Sequence, residues 1–323
     1  MEKLTICSVS YNSSAFLIEN FDLVQRLNPG QQISWIVAEN SPSGSQKKLF
    51  DDHFRVIEGT KPVEPTMHAY ASYHHAGSLN KTLSLIDTRF VLFVDPDFFI
   101  LKKNWLNVVT DHMKQNNLSF FGVPWHPKWI NKYRGFPCVH CLFVDLRKVN
   151  IKELDFVPEY HLKSGKRKYI QYEGESAFVR HYRNFLIKLL RGISVIRKLS
   201  KIKIRSTISS SPDTGSGIYR KFYNRHEFEM AIPVVTEKEY SNLDLMLDYL
   251  LPDNLRFVSH KNKFTRSSMK DFGLLDYDSL GCEEFLWLNE PFGFHVRNYP
   301  KTLKGKQGYD QILNRIFKSL EKI

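Results

Sequence analysis

Five apolar residues, Phe90 to Val94 (FVLFV), run straight into Asp95-Pro96-Asp97. An apolar run this short, rich in aromatic and β-branched residues, predicts a strand buried on both faces, which requires a sheet covered on two sides. Two carboxylates at i and i+2 beyond the carboxyl end of that strand can address one hard divalent cation, Mg²⁺ or Mn²⁺, through oxygen ligands. The same tripeptide also suits a turn that caps the next element.

The preceding sequence alternates in the way such a sheet needs. Leu4 to Ser10 (LTICSVS) reads as a buried strand and leads into Tyr11-Asn12-Ser13-Ser14, a turn with helix-capping residues. Residues 15–27 place Phe16, Phe21, Val24 and Leu27 at helical spacing, and Asn28-Pro29-Gly30 stops the helix. Ile33 to Ala38 is a second strand, followed by the polar loop Glu39 to Ser45. Phe54 to Glu58 is a third strand, and residues 70–86 are compatible with a helix. Alternating strands and helices predict a parallel sheet with helices on its faces. Ligands of such sheets bind beyond the carboxyl ends of the strands, so the loops at Tyr11, Glu39 and Asp95 are expected to meet at one crevice.

From about residue 120 the pattern loosens: FFGVPW and CLFVDL read as strands between aromatic and basic loops. Trp125, His126, Trp129, Tyr133 and Arg134 form a cluster suited to stacking on sugar rings or gripping an acidic acceptor, and equally to core packing. Residues 180–206 hold many lysines and arginines and no acid, with Leu186, Leu189, Leu190, Ile193, Ile196 and Leu199 at helical spacing. This is a basic amphipathic helix, packed on the core or lying on an anionic membrane surface. Residues 308–323 read as one more amphipathic helix.

The chain has 323 residues, is 42% hydrophobic and carries a formal net charge of +12, which excludes a disordered chain and implies anionic partners. No run approaches the roughly 18 to 20 apolar residues of a membrane span, and no signal-type segment opens the sequence, so a cytoplasmic protein is expected. Four cysteines are too few and too scattered for a disulfide framework. Cys138 and Cys141 form one CxxC pair with His140 inside it and His126 nearby, a weak zinc or redox signal set against two buried small side chains.

Taken together, TICSVSYNSS, VAENSPSGS, HAGSLNKTL and FVLFVDPDFFI resemble, in order and spacing, the GT-A glycosyltransferases, particularly those of family 2. The resemblance covers roughly the first 105 residues. It implies a mixed α/β sheet flanked by helices, a nucleotide-sugar donor and a Mn²⁺ or Mg²⁺ cofactor. By this likeness residues 1–120 are the nucleotide-sugar half and 121–323 the less regular acceptor half of one catalytic domain. Ser10, Tyr11 and Asn12 would hold the nucleoside, with Tyr11 stacking on the base, and Glu39 stands where the family commonly has an aspartate beside it, with Asn40 next to it. Gly77, Asn80 and Lys81 resemble the family's donor-side segment, with Lys81 in place of the more usual arginine. His295, in Phe294-His295-Val296-Arg297, is placed as a late metal ligand beside Asp95 and Asp97. Arg297 and Lys301, with Lys304 and Lys306, would neutralise a diphosphate.

For the base that an inverting transfer needs, Asp213 resembles the acidic acceptor-site residue by its place before the helix IYRKFYNR, and it equally suits a helix cap. Glu175, in EGESAF, is the second choice, with Ser176 where a further acid would be. A UDP-sugar donor and a lipid-linked saccharide, lipopolysaccharide or capsule acceptor follow as expectations, with peripheral membrane contact and no nucleic-acid partner. Two other classes fit parts of the sequence: a nucleotidyltransferase on a similar sheet, which would show a glycine-rich phosphate loop, and a non-enzymatic basic binder of membranes or nucleic acid.

Overall fold

A computed structural model describes residues 2–42, 53–60, 71–126, 135–158, 213–235, 269–274, 280–296 and 306–323, together with a short hairpin within 161–168 and positions 185, 189, 241–243 and 246. Within these, the chain runs β1 (Lys3–Ser10), α1 (Ser14–Leu27), β2 (Gln32–Glu39), β3 (Phe54–Glu58), α2 (Ala71–Leu83), β4 (Phe90–Val94), β5 (Phe98–Ile100) and α3 (Trp105–Gln115). It continues with β6 (Phe120–Gly122), β7 (Cys141–Asp145), β8 (His161–Lys163), β9 (Lys166–Lys168), α4 (Ser216–Phe222), β10 (Phe228–Met230), β11 (Ile232–Pro233), β12 (Cys282–Trp287), β13 (Glu290–Val296) and α5 (Lys306–Leu320). The strands and helices expected before residue 105 are all present, with no end shifted by more than three residues.

Seven strands form one sheet in the order β10-β6-β7-β4-β1-β2-β3. The first four strands in sequence pair parallel, β1 with both β2 and β4, and β2 with β3. The antiparallel β7 then enters between β4 and β6, so the sheet is mixed, with strands from both halves of the sequence. The β1–α1–β2 and β3–α2–β4 crossovers run in opposite directions across the sheet, and right-handed crossovers therefore put α1 and α2 on opposite faces. Covered on both sides, β4 is buried at every position, which is why it is apolar without alternation.

A second sheet, β11-β12-β13-β5, stands at the carboxyl end of β4. It is tied to the first sheet by the turn from β4 to β5, in which Phe98 N donates to Asp95 O at 3.0 Å. Proline at the second position of this turn has its φ already set for it. At the other end of β4, Arg89 grips the buried Asp145 through two bonds, Nε to Oδ1 at 3.0 Å and Nη2 to Oδ2 at 2.7 Å. All four cysteines are buried, and no disulfide joins them. Among the described residues, no helix is long and apolar enough to cross a membrane. Most of the basic segment 180–206 lies outside the described residues.

Candidate active site

The order of the large sheet reverses between β1 and β4, and a crevice opens where neighbouring strands lead away in opposite directions. Ser8 Oγ donates across this junction to Val94 O at 2.9 Å, fixing the two strand ends side by side. The loops expected to converge do so here. Asn40 N donates to Ser10 O at 2.8 Å, and Asn12, held at φ 53°, donates its N–H to Ser41 Oγ at 2.8 Å. Tyr11 between them is 63% exposed, and its ring is open for stacking.

Glu39 ends β2 buried, and its Oε1 accepts from Ser41 N at 2.6 Å. Its Oε2 is buried without a hydrogen-bond partner among the described residues. A buried acceptor left unmade costs about 1–3 kcal/mol, so this oxygen marks a place where a ligand donor would be worth its full bond.

Beyond β4, Asp95 and Asp97 meet His295. The pairing of β13 with β5 puts His295 opposite Phe98, and Val296 N donates to Asp97 O at 3.0 Å. His295 Nε2 then lies 3.0 Å from Asp97 Oδ1 and 3.7 Å from Asp95 Oδ2. On its other side, Nδ1 is 3.5 Å from Oε2 of Glu283, its cross-strand neighbour on β12. His295 and Glu283 are each 1% exposed. Ligand atoms of Asp95, Asp97 and His295 all lie within 4.8 Å of one another. Three carboxylates around one buried imidazole are an arrangement that needs positive charge to compensate it. Two carboxylate oxygens and one imidazole nitrogen suit a divalent cation chemically.

Two further histidines reach Asp95, and the sequence did not mark either for this role. His140 Nε2 is 3.6 Å from Oδ2, and His75 Nε2, from α2, is 3.5 Å from Oδ1. His75 Nδ1 lies 3.3 Å from Thr214 Oγ1, which itself donates to Ser72 O at 3.1 Å. Asp213 therefore sits one residue from Thr214, which is linked to Asp95 only through His75. It is not the cap of α4, whose capping position is Gly215 at φ 80°. The Asp213 Oδ1 accepts instead from Thr214 N at 2.9 Å.

Several expected contacts are replaced by others. Asn40 gives its amide to His74 O and accepts from Ser78 Oγ, at 3.1 and 2.8 Å. Asn80 bonds Asp155 Oδ1 and Phe156 N, at 2.7 and 2.9 Å. Lys81 Nζ reaches Glu58 O at 2.9 Å, and Gly77 lies on α2 beside Thr60. These bonds tie Asn40, Asn80 and Lys81 to the elements around α2. Trp125, 3% exposed, packs edge-on against His140 at 4.2 Å between ring centroids, and the buried His126 bonds Val234 O at 2.8 Å. Buried rings cannot present a face to a sugar, so Trp125 and His126 are core residues behind the cluster rather than an acceptor surface. Trp129, Arg134, Glu175, Arg297 and Lys301 lie outside the described residues.

Both cysteines of the CxxC pair are fully buried. Cys138 Sγ lies 2.9 Å from His140 Nδ1. Burial, and then the negative charges of Cys138 and Asp95, push the Cys141 thiol well above its ordinary pKa, so it stays a neutral apolar side chain.

No protein-family model matches this chain, and no curated protein matches it in sequence. Among solved structures, the mannosyltransferase PcManGT from Pyrobaculum calidifontis, in complex with GDP-Man and Mn²⁺, is 12% identical over 78% of this chain and 72% of its own, with a TM-score of 0.36. A Mycobacterium tuberculosis glucosyl-3-phosphoglycerate synthase, in complex with Mn²⁺, UDP and glucosyl-3-phosphoglycerate, is 12% identical over 45% of this chain and 57% of that one, with a TM-score of 0.34. S. aureus TarS 1-349 is 16% identical over 38% of this chain and 35% of that one, with a TM-score of 0.30, so the match spans about a third of its length. Likenesses this distant carry no weight for function, which rests on the geometry of the crevice.

Proposed function

We propose that the chain is a glycosyltransferase of the GT-A type that moves a sugar from a nucleotide donor, a UDP-sugar by preference, to a saccharide or lipid-linked saccharide. The observation that carries this reading is the Asp95–Asp97–His295 constellation, which lies at the switch point of the sheet with the exposed Tyr11 and the buried, half-used Glu39 at the adjoining strand ends. In this reading Tyr11 stacks on the base and Glu39 Oε2 accepts from its edge. Asp95, Asp97 and His295 hold a divalent cation, which when bound neutralises the diphosphate and the charge growing on the departing nucleotide. Arg297 and Lys301 add to that neutralisation.

Asp213 accepts the proton of the acceptor hydroxyl as it attacks the anomeric carbon, giving inversion. Its neighbour Thr214 lies against His75, which approaches Asp95, and this supports that role. The basic segment 180–206 brings the acceptor half to an anionic membrane surface, as synthesis of lipopolysaccharide, capsule or another surface polysaccharide would require. Removing charge from Lys188, Arg191, Lys198 and Lys201 then weakens binding to anionic vesicles by about 1 kcal/mol per residue. Incubating the protein with nucleotide sugars, Mn²⁺ and saccharide acceptors tests the activity itself. Acceptor-dependent release of nucleoside diphosphate, lost in Asp213→Asn, supports the proposal; release of pyrophosphate instead would assign the site to nucleotidyl transfer.

A further inference from the structure

Beside α4 lies a cavity of about 340 Å³ whose charged lining, among the described residues, is Glu153, Asp155, Arg220, Lys221 and Arg225. Small-ligand sites run from roughly 300 to 1,000 Å³, so one sugar-sized molecule fits. Gly217 also lines it, and a Cβ there would lie 3.3 Å from Asp155 O and 3.4 Å from Val157 O, so α4 is pressed against residues 155–157. Gly217, Arg220 and Lys221 are spaced i, i+3 and i+4 and share one face of the helix.

The acids of the lining already have protein partners. Lys221 Nζ donates to Glu153 O at 3.2 Å and lies 3.8 Å from its Oε1, while Asp155 Oδ1 accepts from Asn80 Nδ2 at 2.7 Å and Val157 N at 2.9 Å. A carboxylate offers about four acceptor sites, so both acids keep capacity for hydroxyl donors. Arg220 is half-buried, and burial lowers its pKa. A guanidinium partly stripped of water gains more from an anion than an exposed one, and its forked donors match a phosphate or a carboxylate. A bare anion would meet the two acids as well as the arginines, whereas a sugar that carries an anionic group meets those acids with its hydroxyls.

The cavity is coupled to the crevice by two helices. Asn80, which holds Asp155, is on α2, the helix that brings His75 to Asp95. Asp213 immediately precedes α4, and with a rise of about 1.5 Å per residue Arg220 lies roughly 8 Å beyond Gly215 along the axis, a separation that a short saccharide spans.

Resting on the reading that the chain transfers a sugar to a saccharide, we infer that this cavity binds an anionic sugar of the acceptor, with Arg220 and Arg225 on its phosphate or carboxylate and Glu153 and Asp155 accepting from its hydroxyls. The enzyme thereby selects a charged saccharide over a neutral one.

The test is calorimetric binding of glucose 6-phosphate, glucuronate, glucose and inorganic phosphate to the full chain in chelator, without nucleotide. One of the two charged sugars should bind at least about tenfold more tightly than glucose and than inorganic phosphate, and the tighter of the two identifies the anion. Arg220→Gln and Arg225→Gln should each lower that affinity about tenfold. Arg225 is exposed, so its variant folds even if Arg220→Gln does not. Glucose or inorganic phosphate binding as tightly as both charged sugars, or undiminished binding by folded Arg225→Gln, overturns the inference. Mn²⁺-dependent nucleotide binding is measured on the same protein. If it is present while the preference for charged sugars is missing, only the inference fails. If it is absent while charged sugars still bind, the transfer reading fails and the occupant of the cavity is not an acceptor.

Discussion

His295 Nε2 lies 3.0 Å from Asp97 Oδ1 although 198 residues separate them in sequence. The contact is built by backbone pairing: β13 runs antiparallel to β5, and the bond from Val296 N to Asp97 O places the imidazole beside the carboxylate. Strand register thus sets the geometry of the cluster, and changes in the ladder should be felt there.

Gly293 tests that coupling. A Cβ there would lie 2.5 Å from Phe99 O, inside the β13–β5 ladder and two residues from His295. Gly293→Ala should cost about 2 kcal/mol of stability as the strands are forced apart. It should also weaken Mn²⁺ binding in the folded fraction. Urea unfolding and calorimetry check the two effects; wild-type values in both would show that the ladder does not position the imidazole.

Arg89 and Asp145 are the support at the opposite end of β4. Asp145 is fully buried, with a bidentate guanidinium and Arg147 N as its partners. Arg89→Ala leaves that carboxylate buried without its counter-charge and should destabilise the fold by about 3 kcal/mol. Arg89→Ala combined with Asp145→Asn should recover part of the loss, measured by urea midpoint; no recovery would mean that Arg89 acts by packing alone.

Glu39→Gln keeps the shape of the side chain and removes its charge. If Oε2 accepts from the base, nucleotide affinity should fall by about 1.5 kcal/mol, roughly tenfold, with little change in melting temperature. Unaltered affinity would remove Glu39 from the donor site.

His226 gives the fold a pH dependence. Burial lowers its pKa, as its ring packs against Phe120 and Phe222 and its Nδ1 lies 3.0 Å from Ser119 Oγ. A histidine that is harder to protonate folded than unfolded contributes stability above its unfolded pKa, near 6.5, and that contribution is lost as pH falls through this value toward the folded one. His226→Gln should flatten the stability profile below about pH 6.5. A profile identical to wild type would assign the acid sensitivity elsewhere.

The legible part of the sequence was local. FVLFV followed by two aspartates could be read because a buried strand declares itself by unbroken apolarity, and the Tyr11 and Glu39 loops could be read because they too end buried strands. His140 could not, since its place beside Asp95 arises only when β7 pairs with β4 and brings Asp95 N to His140 O at 3.1 Å. Its place inside a CxxC pair pointed instead to the cysteines. His75 was equally hidden, because helical periodicity does not say that α2 aims one ring at a strand end. Trp125 failed for the converse reason: an aromatic beside a loop reads the same whether it faces a sugar or packs on a buried imidazole.

The central claim is a metal-dependent donor site, and calorimetric binding of nucleoside diphosphates and nucleotide sugars tests it most directly. Wild type and Asp97→Ala are compared with Mn²⁺ and with chelator. The account predicts that one nucleotide binds only with the ion present, and that Asp97→Ala loses this binding while keeping the wild-type melting temperature. Equal binding in chelator, or undiminished binding by Asp97→Ala, would contradict it.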